Sequence, residues 1–111
     1  MKRGEIYYAN LSPTVSSEID KCRPVLIVSN DANNRASNTL TILPITSNTS
    51  RVYPFEVLLE SRASGLTKPS KVQAQQIRTV SKQRFDQVRL ARLSAEIMQI
   101  VDAAIRLHLQ L

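Results

Sequence analysis

The chain holds one histidine, one cysteine, two glycines and no tryptophan in 111 residues. Each shortage removes a class of function. With His108 alone, near the end of the sequence, neither a two-histidine ribonuclease nor a Ser-His-Asp hydrolase can be assembled, and His108 reads as a surface or cap residue. Gly4 and Gly65 cannot make a phosphate-cradling glycine loop. Cys22 allows no intramolecular disulfide and fits a reducing cytoplasm. As a nucleophile it would have the cations Lys21 and Arg23 beside it but no histidine base, so it reads as a small residue at a strand edge. No cluster of His, Cys or paired carboxylates has metal-ligand spacing, and neither metal nor cofactor is expected. The opening MKRGEIYYAN lacks an apolar run long enough for a signal sequence, and no stretch approaches the length that spans a bilayer.

What the chain does have is positive charge, unevenly placed. The formal net charge is +6. Between Arg62 and Arg92 stand Arg62, Lys68, Lys71, Arg78, Lys82, Arg84, Arg89 and Arg92, with Asp86 as the only acid. Such a concentration suits a polyanion or an acidic protein, although a plainly solvated basic surface gives the same counts. The length predicts a single domain over 1–111, sufficient for one core.

The pattern along the chain is mainly β. EIYYANL alternates weakly and reads as a first strand, followed by a long polar loop, SPTVSSEIDKC. RPVLIVSN reads as a second strand buried on both faces, with Pro24 holding Arg23 out of helical geometry at its entrance. DANNRASN breaks it, and TLTILPITS, FEVLL and KVQAQQIRTV are further strands, with a turn region around Gly65 and Pro69. QVRLARL reads as a last short strand after a turn capped by Ser81, and Ser94 starts the one clear helix, with Ile97, Ile100, Val101, Ala104 and Ile105 at helical spacing. Five to six strands and a terminal helix predict a small, strongly bent β-barrel closed by that helix, a mainly β (α+β) fold.

Polar residues collect at the strand ends. Glu18 in the first long loop, Arg23 before the second strand and Thr46-Ser47-Asn48 after the third would meet if the second and third strands are neighbours. Cleavage of RNA by its own 2′-hydroxyl needs a base, an acid and fixed donors for the phosphorane, and no metal. Arginine supplies two-point contact to phosphate oxygens and threonine a hydroxyl. By residue type alone, a surface ion pair of Arg23 with Glu18 or Asp20, with Thr46 merely ending a strand, accounts for the same pattern.

The motifs KRGEIYYANLSPT, SSE followed by RPVLIVSND, LPITSN, PFEVLL, GLTKPS, QQIRTVSKQRF and RLSAEIMQIVDAAIRLHL occur in that order. In that order and spacing the sequence resembles the MazF/PemK family of toxin endoribonucleases from bacterial toxin–antitoxin modules, nearly end to end. The resemblance implies a Src-homology-three-like barrel of the PemK/CcdB-like toxin kind, a homodimer, cytoplasmic residence and an acidic, MazE-like antitoxin. It also implies metal-independent, sequence-specific cleavage of single-stranded RNA, leaving a 2′,3′-cyclic phosphate and a 5′-hydroxyl. By position, Arg23 and Thr46 match the family's catalytic arginine and threonine, and Glu18 its first-loop glutamate. Ser17, Lys21, Asn30, Ser47, Asn48, Gln75, Gln76 and Arg78 are the expected RNA contacts.

The family's usual glycines are missing at Ser16 and within Ile19-Asp20-Lys21-Cys22, which implies a stiffer loop. Gln75 stands where a glutamate is common, which implies an altered base preference because an amide both donates and accepts. Two other readings stay open on sequence: a non-enzymatic toxin that poisons a protein such as DNA gyrase, and a catalytically weak RNA-binding barrel using stacking faces of Tyr7, Tyr8 and Tyr53. With five aromatics in all, those tyrosines are expected to pack in the core or an interface.

Overall fold

The computed structural model describes residues 1–13 and 22–111. Strand β1 (Glu5–Asn10) buries Ile6, Tyr7 and Ala9 and exposes Tyr8 and Asn10. Strand β2 (Cys22–Ile27) runs antiparallel beside it, with Ile6 opposite Leu26 and Tyr8 opposite Pro24. The segment expected as a plain break forms a short helix, α1 (Asp31–Ala36), because the Asn30 side chain accepts the Asn33 N–H and caps it. Strand β3 (Thr39–Thr46) and strand β4 (Glu56–Leu59) follow, then the one-turn helix α2 (Ser61–Ser64) and strands β5 (Ser70–Gln73), β6 (Arg78–Ser81) and β7 (Phe85–Arg92). Helix α3 (Ala95–Leu109) comes last, its N-terminus capped by Ser94 Oγ accepting from the Ile97 N–H.

All strand pairs are antiparallel, in the order β4-β5-β3-β2-β1-β7, with β6 also on β3. β3 organises the whole. Its beginning, Thr39–Ile42, pairs with β6, its middle, Ile42–Pro44, with β2, and its end, Ile45–Thr46, with β5. This explains the one departure from the expected count of five to six strands. KVQAQQIRTV reads as one strand by its apolar pattern, but its two halves pair with opposite ends of β3, and a 3₁₀ turn at Ala74–Gln76 carries the chain from one to the other. The mainly β fold with a terminal helix is otherwise as expected, with seven strands.

Because side chains alternate across a strand, β1, β2 and β3 feed two cores. Ile6, Leu26, Leu43 and Ile45 face α3 and pack with Val101, Ala104 and Met98, while Tyr7, Ala9, Val25, Ile27 and Ile42 meet Leu40, Val80 and Phe85 on the other side. Burial on both faces is why VLIV is apolar at every position. On α3 the buried stripe is Met98, Val101 and Ala104, with Ile97 and Ile105 at its margins. Ile100, expected on that face, is instead 57% exposed, since it stands about 100° around the helix from Val101, at the centre of the buried stripe, on the side away from Met98 and Ile105.

Candidate active site

Arg23 is set by two strands. Across β1 it faces Ala9, and the neighbouring Pro24 faces Tyr8. Across β3, Val25 faces Pro44, and continuing that register by two places brings Arg23 opposite Thr46. Opposed residues of an antiparallel pair present their side chains on one face. Beyond Pro44 the β2–β3 ladder ends and the strands part, while on its other edge β3 pairs with β5, with Thr46 opposite Lys71. The divergence opens a cleft of about 470 Å³ that Arg23, Thr46, Ser47, Tyr8, Cys22 and Lys68 line.

The far wall depends on Gly65. It ends α2 with φ +76°, a left-handed conformation that side chains resist, and a Cβ there would stand 3.1 Å from Ala91 Cβ. The chain is thereby turned so that Leu66, Thr67 and Lys68 run along the cleft. Thr46 Oγ1 accepts the Asn48 N–H at 3.2 Å, which fixes the hydroxyl oxygen and leaves its proton to be donated into the cleft. Asn48 Oδ1 in turn accepts from Ser50 N and Oγ.

Behind the strand end lies a buried carboxylate. Glu56 Oε1 accepts from Lys71 Nζ at 2.9 Å and Tyr53 N at 3.0 Å, and Oε2 accepts from Gln75 Nε2 at 2.6 Å and Gln73 Nε2 at 3.2 Å. Burial alone would raise its pKa, but these donors outweigh it and hold the group at about 2. Glu5 has a similar balance: burial against donors from Lys2 N, Arg89 and Tyr7, with a net lowering.

The expected site residues divide into groups. Arg23, Thr46 and Ser47 share the cleft. Glu18, Ser17 and Lys21 lie outside the described residues, as do the substituted loop positions except Cys22. Asn48 is exposed at the strand end beside Thr46. Asn30 is not brought to the cleft: it stands beyond the opposite end of β2, capping α1 beside Arg3 and Asn33. Gln75 is turned inward, its amide committed to Glu56 and its Oε1 buried. Gln76 sits in the 3₁₀ turn, and Arg78 Nη1 donates to the Leu11 carbonyl at 3.3 Å.

The basic stretch is less of a surface than its counts suggest. Lys71 pairs with Glu56, Lys82 Nζ donates to Asn34 O, Arg84 Nη1 to Asn10 O and Ser12 O, and Arg89 pairs with Glu5. Arg62, Lys68 and Arg92 are exposed. Two further residues line the cleft that were not among the expected catalytic residues or RNA contacts. Tyr8, expected to pack away, is 40% exposed in the cleft, whereas Tyr7 is buried. Its position beside Pro24 was implicit in the β1–β2 hairpin order but required the register to be known. Lys68 was only one of eight basic residues in its stretch until the turn at Gly65 brought it to the cleft that Arg23 lines. Among the described residues no group of three or more His, Cys, Asp or Glu is arranged to hold a metal ion.

Comparison with known proteins finds relatives along essentially the whole chain. Residues 2–109 match the model of the PemK-like, MazF-like toxin of type II toxin-antitoxin systems. The chain is 40% identical over 116 residues to endoribonuclease MazF9 of Mycobacterium tuberculosis, covering 100% of this chain and 98% of that protein. It is 38% identical over 112 residues to endoribonuclease EndoA of Bacillus subtilis, covering 100% and 96%. Among solved structures, MazF from Deinococcus radiodurans superposes with a TM-score of 0.85 at 26% identity, covering 100% of this chain and 97% of that one. An endoribonuclease in complex with its cognate antitoxin from a Mycobacterial species superposes with a TM-score of 0.81 at 27% identity, covering 100% and 96%.

Proposed function

Since the chain belongs to the PemK-like, MazF-like toxin family of type II toxin–antitoxin systems, we propose that it is a toxin endoribonuclease that cleaves single-stranded RNA at the cleft between Arg23 and Thr46. The observation that carries this reading is the shared cleft: an arginine and a threonine from different strands, with Lys68 in the same lining.

The chemistry is an in-line displacement within the RNA. The 2′-oxygen attacks the adjacent phosphorus while its proton is removed, the bond from phosphorus to the 5′-oxygen breaks, and that oxygen takes up a proton. The products are a 2′,3′-cyclic phosphate and a 5′-hydroxyl, and no water is consumed. Arg23 donates in two-point contact to the equatorial oxygens, where charge gathers in the transition state. Thr46 adds its hydroxyl proton to the same group, and Glu18 completes the proposed catalytic set. Ser47 and Asn48 border the scissile phosphate, Lys68 neutralises a neighbouring phosphate, and the exposed Tyr8 ring offers a stacking face.

The relatives found with antitoxins support an antitoxin as partner here, one whose acidic chain competes with RNA for the cleft. Val88, Ile100 and Leu107 are more than half exposed, and their burial between two copies of the chain accounts for a homodimer. No helix among the described residues is long and apolar enough to cross a membrane, and the proposed site of action is the cytoplasm.

Mixed single-stranded RNA incubated with purified protein and EDTA, with the new 5′ ends mapped, tests the reading. Discrete cuts carrying 5′-hydroxyl ends are expected. An intact RNA pool, merely retarded on a gel, would overturn it in favour of a binding module.

A further inference from the structure

β4, β5 and the end of β3 form a small arm whose inner face is apolar. Val57, Leu59, Val72 and Ile45 all enter the core from it. Alternation puts Glu56, Leu58, Lys71, Gln73 and Thr46 on the outer face. Leu58 is exposed there, as an outer position should be, yet the side chains of Glu56 and Lys71 are only 1% and 10% accessible.

The segment 47–55 covers them as it leaves Thr46 and returns to Glu56. Two of its backbone groups are tied to the ion pair: the Arg51 carbonyl accepts from Lys71 Nζ at 2.6 Å, and the Tyr53 N–H donates to Glu56. The ties continue to the cleft through Ser50 and Asn48, whose N–H ends on Thr46 Oγ1. Thr46 is thus held twice, by its ladder partner Lys71 and by the segment that Lys71 and Glu56 anchor.

Stability alone is a weak reason for a buried ion pair, because apolar residues of similar volume often do as well or better. Here the pair also obliges two amides to turn their nitrogens toward Glu56, which leaves Gln73 Oε1 and Gln75 Oε1 buried with no hydrogen-bond partner among the described residues. The arrangement secures placement of the segment.

We propose that Glu56 is a positioning residue for RNA cleavage, its carboxylate fixing the segment 47–55 on Lys71 and so aiming the Thr46 hydroxyl and Ser47 into the cleft. The inference rests on the endoribonuclease reading above. It assigns Gln75 to the support of this carboxylate rather than to a base edge.

Glu56→Gln keeps the shape and removes the charge. Its kcat should fall at least about tenfold with KM little changed, since a displaced catalytic group weakens the transition state more than substrate binding. The charge-swapped variant Glu56→Gln/Gln75→Glu restores a carboxylate within reach of the same partners and should recover most of the loss. A purely structural carboxylate would lower the thermal midpoint without this split between kcat and KM. In the unmodified protein, the Tyr53 amide should exchange with solvent as slowly as strand amides. That measurement stands even if a variant does not fold, and rapid exchange at Tyr53 would overturn the proposal. So would a folded Glu56→Gln with wild-type kcat, or a folded swap that recovers nothing. If the unmodified protein cleaves no RNA while Tyr53 is protected, the functional reading fails and the placement of the segment stands.

Discussion

Arg23 and Thr46 each stand two places beyond Val25 and Pro44, the last paired residues of β2 and β3, and both line the cleft that opens there. Both side chains are therefore carried by strand backbone, which holds them more rigidly than a loop would. If they act on one phosphorane, their losses cannot add. Thr46→Ala should cleave about a hundredfold more slowly, Thr46→Ser should retain much of the rate, and Thr46→Ala/Arg23→Ala should lose less than the product of the single effects. Single-turnover rates on one RNA substrate measure all of these.

The buried carboxylate makes stability depend on acid. Glu56 is held at about 2, below the ordinary 4.5, so its contribution is complete above pH 4.5 and is lost as the pH falls toward 2. The shift corresponds to about 3 kcal/mol. Lowered Glu5 acts in the same direction. Denaturant midpoints should show the gap between wild type and Glu56→Gln shrinking by that amount between pH 5 and 2. A gap that stays constant would contradict the assignment.

Gly65 shapes the cleft wall through its backbone. Gly65→Ala places a side chain in the left-handed region and against Ala91, and should cost about 1–2 kcal/mol in equilibrium unfolding. Lys68 belongs to that wall, so RNA affinity should fall as well. An alanine variant of unchanged stability would mean that the turn relaxes without strain.

Lys68→Ala should weaken RNA binding similarly for all sequences and reduce the slope of log affinity against log salt by about 0.7, the value for one phosphate contact on a single strand. Lys82→Ala, whose ammonium is engaged with Asn34 O, should leave that slope unchanged. Titrations at several salt concentrations distinguish the two.

Most strands, the Ser94 cap and the meeting of Arg23 and Thr46 in one cleft were legible because each rests on local pattern or on motif order. Partner exchange was not. Nothing in KVQAQQIRTV records that its halves meet opposite ends of β3, and only that exchange separates β5 from β6 and places Lys71 beside Thr46. Charge was the least readable feature, since a lysine that binds phosphate and one that clamps a carbonyl look alike in sequence. Lys71 and Lys82 proved to be clamps, while Lys68 faces the cleft. Asn30 shows the same limit for amides: after a strand its type suits RNA contact, but three residues before Asn33 it is a helix cap.

The cleavage rate of Arg23→Lys tests the central claim most directly. Lysine keeps the charge and most of the stem but cannot make two-point contact with a phosphorane. With RNA affinity and thermal midpoint close to wild type, Arg23→Lys should cleave at least about a hundredfold more slowly, the cost of one lost transition-state donor. A variant that binds, folds and cleaves at nearly the wild-type rate would remove Arg23 from the catalytic centre and with it the proposed mechanism.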